Sequence, residues 1–364
     1  MLTPSERVEK MLRRESVDRI PFTAYENKVP PGRSERELRN DGLCIVQRHP
    51  NFYRVSTPNC RTDVCHVCGS GRTAVHTRVE TPKGALTASD VQAADGGGMW
   101  RSERFFSGPR DYAALKAYIE DQIYIAGYEA VREKMAESGG DYFMRGQIDY
   151  SPMHKILYDY MGVERFAYEW QDHRTAVLEL YEILRCKYRE LYPIAAAAPE
   201  LAINMGGNVS ANVVSPLMFQ EYYLPVYNEA AEILHRGGKL MGVHFDGYTL
   251  PYARCIADSA LDYIEALTPP PTCDVGVAQA HSLWPDKAIW INFPSTVHVS
   301  SEKEIAAVTR RILEECRPEK GFLLGITEDV PPDRWSGNFR VILDTVNRHV
   351  IDWSAASGKR PNGH

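Results

Sequence analysis

Six short apolar runs, Asp141 to Ile148, Leu201 to Met205, Lys239 to Phe245, Asp262 to Leu267, Ala288 to Phe293 and Phe322 to Thr327, recur along this chain with room for a helix in each gap. Polar and apolar residues alternate poorly within them, which is the pattern of parallel strands buried on both faces. The gaps hold recognisable helix starts, Ser215-Pro216 ahead of Leu217 to Leu234, and a capping box at Ser301-Glu302-Lys303-Glu304 ahead of Ile305, Val308, Ile312 and Leu313. Repeated strand-helix units leave two architectures, a closed (β/α)8 barrel or an open doubly wound sheet. No strand end carries a Gly-x-Gly-x-x-Gly turn, and Gly96-Gly97-Gly98 lacks the strand before and the helix after, so it reads as a loop. The reading is therefore a (β/α)8 TIM barrel. With Asp18 to Tyr25 as its first strand, seven strands are placed and the eighth is not.

The amino-terminal half is less regular. Thr3-Pro4-Ser5-Glu6 is a capping box with proline at the first helical position, followed by Val8, Met11 and Leu12 at helical spacing. From about residue 28 to 98 the chain turns to Arg, Gly, Pro and Thr with short alternating pieces such as Thr73 to Val79. Such pieces predict antiparallel hairpins. They are read as a β-hairpin insertion over the barrel mouth, within a single barrel domain of residues 1–364. A long amphipathic helix is expected from Asp111 to Met135.

A net charge of −6 leaves no electrostatic footprint for nucleic acid or an anionic membrane, and no apolar run has the length of a membrane span. A small molecule or a protein partner is the expected ligand. The amino terminus reads as a folded helix rather than a secretory leader, so the eight scattered cysteines are expected as reduced thiols in a cytoplasmic protein.

In a parallel barrel the site lies at the carboxyl ends of the strands. Those ends are polar throughout: Gln147 and Asp149, Asn204 and Asn208, His244 and Asp246, Glu265, Asn292 and Glu328. His244 and Asp246 stand two apart on an extended run and so face the same way. With Glu328 they make a nitrogen and oxygen set able to hold a divalent metal such as zinc, or to act as general acid and base without one. Capping of the next helix is the competing structural reading of Asp246. A second cluster, Cys60, Cys65, His66 and Cys68, has the spacing of half a structural zinc site, set against a plain thiol pair in a turn. Tyr222, Tyr223 and Tyr227 fall in one helix and read as packing.

Thr3 to Val8 with Asp18-Arg19-Ile20-Pro21, Gly238 through His244-Phe245-Asp246-Gly247, Asp262 to Pro271, Trp290 to Pro294 and Gly325 to Pro332 together resemble the uroporphyrinogen decarboxylase superfamily over most of the chain outside the insertion. The resemblance implies a (β/α)8 barrel with its site at the strand carboxyl ends. The arginine-rich amino-terminal segment of the decarboxylases is absent, and the chain is more similar to the corrinoid-dependent methyltransferase branch. Its thiol-activating members hold zinc with His-x-Cys on one strand and a Cys before a Pro-Pro loop. At the matching positions this chain has His244, Asp246 and Glu328. Carboxylates in place of thiolates make a harder site, better suited to polarising an ether oxygen than to activating a thiol.

The resemblance implies an O-demethylase-like substrate:corrinoid methyltransferase that passes the methyl group of a methoxylated, aromatic compound to cobalamin carried by a partner protein, and a homodimer is the expected assembly. His244, Asp246 and Glu328 are the expected catalytic and zinc-binding residues, and Gln147, Asn204, Glu265 and Asn292 the expected substrate-binding ones. The alternatives are a uroporphyrinogen decarboxylase-like carboxy-lyase, with Arg101, Arg104 and Arg145 as its carboxylate-binding candidates, and a non-catalytic binding barrel.

Overall fold

The structure, a computed structural model, describes residues 2–69, 72–92 and 99–351. Within these the chain divides into two compact units, one built from residues 1–52, 128–148 and 195–364 and the other from residues 53–127 and 149–194.

The first unit holds eight parallel strands, β1 Phe22–Tyr25, β2 Leu43–Gln47, β3 Tyr142–Ile148, β4 Ala202–Met205, β5 Leu240–His244, β6 Tyr263–Leu267, β7 Ala288–Asn292 and β8 Phe322–Ile326. They close in the order β1-β8-β7-β6-β5-β4-β3-β2. This is the (β/α)8 barrel that the periodicity and the resemblance led us to expect. The strands are buried almost without a break, as their poor alternation requires.

The strand missing from the sequence reading is β2, which lies inside the stretch read as insertion. It is only five residues long. The helix before it, Arg33–Asn40, has the sequence RSERELRN with Leu38 as its single apolar residue, so no hydrophobic stripe announces the unit. The expected insertion boundaries of 28 and 98 are thus corrected at the near end. Residues up to 52 belong with the barrel unit, and the far end, 93–98 with its three glycines, lies outside the described residues.

In the second unit Arg61–Gly69, Arg72–Thr81, Gly84–Gln92 and Met99–Glu103 form a four-stranded antiparallel meander, and Tyr53–Ser56 pairs with Ile123–Ala126. That second pairing also breaks the helix expected from 111 to 135. Helices form at Tyr112–Glu120 and Tyr128–Glu137, while Ile123, Tyr124 and Ile125, β-formers followed by Gly127, go into the strand between them.

At the amino ends of the barrel strands the helix Pro4–Leu12 is held by its capping box, in which Glu6 N donates to Thr3 Oγ1 at 3.2 Å and Thr3 N to Glu6 Oε2 at 2.7 Å. Its Ser5 N donates to Gly140 O just ahead of β3. Arg7, though charged, is buried beneath this helix and donates from Nε and Nη2 to the two oxygens of Asp18 at 2.5 and 2.9 Å. Removing Asp18 leaves a buried guanidinium without its anion. Asp18→Ala is expected to cost about 2–3 kcal/mol in urea unfolding. The Arg7 hydrogen bonds hold the Asp18 carboxyl below its ordinary range against the opposing effect of burial, so its contribution is present above about pH 4 and lost as the pH falls further. Equal urea midpoints for wild type and variant at pH 7 would contradict this.

Candidate active site

His244 is the last residue of β5, and Asp246 lies two positions beyond it, so both side chains leave the strand on the side that faces the barrel mouth. Glu328 stands two residues past the end of β8. Closure of the barrel brings these distant segments together: His244 Nε2 is 3.7 Å from Asp246 Oδ2 and 4.0 Å from Glu328 Oε1. One ligand atom from each residue falls within 4.8 Å of the others, and among the described residues no other group of three or more His, Cys, Asp or Glu does so.

The other ring nitrogen is fixed from below. His244 Nδ1 lies 3.0 Å from Glu265 Oε2 and 3.2 Å from the Tyr25 hydroxyl. Glu265, on β6 directly opposite His244, is fully buried and saturated with donors. Tyr25 Oη donates to its Oε1 at 2.7 Å, while Asn204 Nδ2 at 2.5 Å and Arg145 Nη1 at 3.3 Å donate to Oε2. Burial pushes the Glu265 carboxyl up, but the Arg145 charge and the His244 and Tyr25 contacts outweigh it and bring it down to about 2. The carboxylate is therefore ionised at neutral pH, and His244 presents Nδ1–H to it. Nε2 is then aimed at Asp246 and Glu328.

Burial opposes charge on His244, but the nearby Asp246 carboxylate, the hydrogen bond to Glu265 and the negative charges of both lift the ring to about 9. Glu328 is raised by its partial burial and by Asp246, against the pull of His244 and Lys28. Lys28 donates to the neighbouring Asp329 at 2.5 Å. Two backbone features serve the same corner. A Cβ on Gly207 would sit 3.1 Å from the His244 ring, and Ala266 adopts φ 60°, a left-handed conformation costly for a residue with a Cβ, where the register shifts between Glu265 and Leu267.

The arrangement fits a divalent cation. The donors are one imidazole nitrogen and two carboxylates, and the imidazole is oriented through its second nitrogen by a buried carboxylate, as metal-binding histidines commonly are. It equally allows proton transfer, since three titratable groups share one small volume.

The residues expected to bind substrate are placed differently from that reading. Asn204 and Glu265 are fully buried, with their polar atoms engaged by protein groups. Asn292 is buried as well: its Oδ1 accepts from Thr327 N at 2.9 Å and its Nδ2 donates to Thr268 Oγ1 at 3.4 Å, which ties the end of β7 to the residue before Glu328. These three position the site rather than face its solvent side. Gln147, half-buried, accepts from Arg145 Nη2 at 3.2 Å.

Tyr25 was not singled out by sequence, although it too ends a barrel strand. The guanidinium of Arg48 lies 3.8 Å from its ring centroid and that of Arg145 5.4 Å. The arginines considered for carboxylate binding have protein partners: Arg145 has Glu265, Arg101 has Asp90 and Asp159, and Arg104 Nε donates to Tyr158 O. The Cys60, Cys65, His66 and Cys68 set is not brought together. Cys65 and Cys68 are three apart on the extended strand Arg61–Gly69, which puts them on opposite faces, both exposed.

No family model and no curated protein sequence matches this chain. Among solved structures, a methyltransferase from Methanosarcina mazei superposes over 95% of this chain and 99% of its own with a TM-score of 0.62 at 13% identity. This chain shares that methyltransferase's fold. A B12-independent methionine synthase from a Shewanella species matches over 86% of each chain at 12% identity, with a TM-score of 0.39 too low to bear on the reading. No helix among the described residues is long and apolar enough to cross a membrane.

In the metal-free protein the His244 ring holds a second proton at neutral pH. The folded state holds this proton more tightly than the unfolded chain, so its stabilising effect is full below about pH 6.5 and lost as the pH rises through 9. Cation binding needs Nε2 bare and must expel the proton. Calorimetric titration with Zn2+ at pH 7, in buffers of different ionisation enthalpy, is expected to show release of about one proton per ion. His244→Ala should abolish that release, and a buffer-independent heat in wild type would contradict the assignment.

Proposed function

We propose that this chain is a methyltransferase that demethylates a methoxylated compound, most plainly an aromatic methyl ether, and passes the methyl group to a corrinoid protein. The observation that carries the reading is the meeting of His244 Nε2, Asp246 and Glu328 at the carboxyl end of the barrel, with His244 oriented by the buried Glu265 carboxylate. The fold shared with a methyltransferase and the resemblance of the strand ends to the corrinoid-dependent branch support it.

In such a transfer the methyl carbon leaves its oxygen for cobalt(I) of the partner, and the electron pair of the broken bond stays on the departing alkoxide or phenolate. That oxygen needs its charge taken up or a proton supplied. A divalent cation such as zinc, held by His244, Asp246 and Glu328, would supply Lewis acidity at the oxygen. The chain's own groups do the rest. Where no cation is held, Glu328, half-exposed and with its carboxyl raised by burial, can instead carry the proton to the product oxygen. Glu265 and Tyr25 keep the imidazole from turning, and Asn292 fixes the backbone of Thr327 beside Glu328. An oxygen-rich donor set suits a hard ether oxygen better than a soft thiol.

Methyl transfer from a panel of methyl ethers to chemically reduced cobalamin, followed by its absorbance change, tests the reading. Turnover is expected with at least one aryl methyl ether. It should fall about 100-fold or more in His244→Ala and in Glu328→Ala, the scale of losing a positioned acid or charge stabiliser. Removal of divalent metal by chelation should lower the rate and added Zn2+ restore it. Undiminished turnover in both variants would remove this site from the chemistry, and no transfer from any donor would leave the barrel a binding module.

A further inference from the structure

We propose that Tyr263, whose hydroxyl bonds to Asn204 and to none of the three candidate ligands, is a positioning residue for the His244 site, acting through Asn204 and Glu265. This inference rests on the metal-binding reading of His244, Asp246 and Glu328, and adds to it a hydrogen-bonded relay across the barrel interior.

The relay starts at a glycine. Gly242 lies on β5 two residues before His244, and a Cβ there would run into the Tyr263 ring on the adjacent β6. The missing side chain leaves space for a phenol ring inside the barrel, fully buried beside Trp290 at a centroid distance of 6.2 Å. Burial and the nearby Glu265 raise this phenol well above its ordinary range against the opposing Arg145, so it remains a donor. Its hydroxyl donates to Asn204 Oδ1.

An amide whose oxygen is thus committed can turn only its Nδ2 toward Glu265, and it does so at 2.5 Å. Tyr263 therefore anchors the amide whose Nδ2 meets the carboxylate. Without the phenol, Asn204 Oδ1 loses its donor, the amide is free to swing away, and the shortest hydrogen bond to Glu265 loosens on the same Oε2 that receives His244 Nδ1. The relay begins and ends on β5, from Gly242 through Tyr263, Asn204 and Glu265 to His244, so one strand's packing sets its own ligand.

The test compares Tyr263→Phe, Asn204→Ala and Trp290→Phe in the full-length protein. Trp290 serves as control because its indole N–H donates to Thr23 Oγ1 at 3.0 Å and not to the relay, while its ring shares the same core layer. Co2+ affinity by titration and the visible absorption of the Co2+-loaded protein are the first readouts. Tyr263→Phe and Asn204→Ala are expected to weaken Co2+ binding about 10–100-fold, the range typical for loss of an outer-shell partner, and to alter the spectrum. Trp290→Phe should leave both within about twofold, a change of less than 0.5 kcal/mol.

The second readout needs no metal. Nitrogen-15 histidine NMR of the metal-free protein is expected to show a downfield Nδ1–H resonance, assigned by its loss in His244→Gln, that moves upfield or broadens in the two relay variants and stays in Trp290→Phe. Wild-type behaviour of Tyr263→Phe in both measurements overturns the proposal, as does an equal loss in Trp290→Phe, which would mark general loosening of the core. Absence of Co2+ binding by wild type would overturn the metal reading, and the NMR comparison then decides the relay by itself.

Discussion

The ionised Glu265 carboxylate inside the barrel is the interaction on which the rest of the site depends. A carboxylate at zero exposure is costly unless every lone pair is met. Here donors converge from β1, β3, β4 and β5, with Tyr25, Arg145, Asn204 and His244 each supplied by a different strand. The buried Arg145 charge is balanced by the same contact. Replacing Glu265 by an apolar residue would not simply remove an ion pair; it would strand a guanidinium and leave the imidazole free to turn. Such a network contributes little net stability by itself, and its value lies in specifying one geometry.

That geometry explains why the polar residues at the strand ends divide into two layers. The inner layer of Asn204, Glu265 and Asn292 is sealed and hydrogen-bonded within the protein, whereas Asp246 and Glu328 retain exposure and face His244 Nε2. The register makes this division: His244 pairs with Glu265, and Asn204 with Gln147 on one side and Gly242 on the other, so the inward side chains stack at successive heights. Residues at one height can brace the residue above it. The bulge at Ala266, with its positive φ, adjusts the pitch of β6 where Glu265 must reach the imidazole.

A barrel fold shared at 13% identity is compatible with many chemistries, and the residues at the strand ends decide between them. The site's character is set by what the ligand positions contain. Two carboxylates and an imidazole form a hard donor set, whereas thiolates at those places would favour soft ligands. Beneath this set the Glu265 carboxylate and the Tyr25 hydroxyl hold Nδ1 of the imidazole, which leaves Nε2 toward Asp246 and Glu328.

The sequence by itself determined the strand-helix rhythm, the barrel class and the list of polar strand ends, because these depend on local periodicity: two residues for a strand, about 3.6 for a helix. It also put His244 and Asp246 on one side, since that needs only an extended chain. It did not reveal β2, whose helix Arg33–Asn40 carries too little apolar surface to show a period, nor the break at Ile123 that turns one expected helix into two. Only the tertiary structure decided which polar residues meet solvent and which brace others, and it chose Tyr25 and Tyr263 as members of the network. Burial and cross-strand register follow from closing the sheet, which brings Glu328 from β8 to His244 on β5. No local pattern encodes that closure distance.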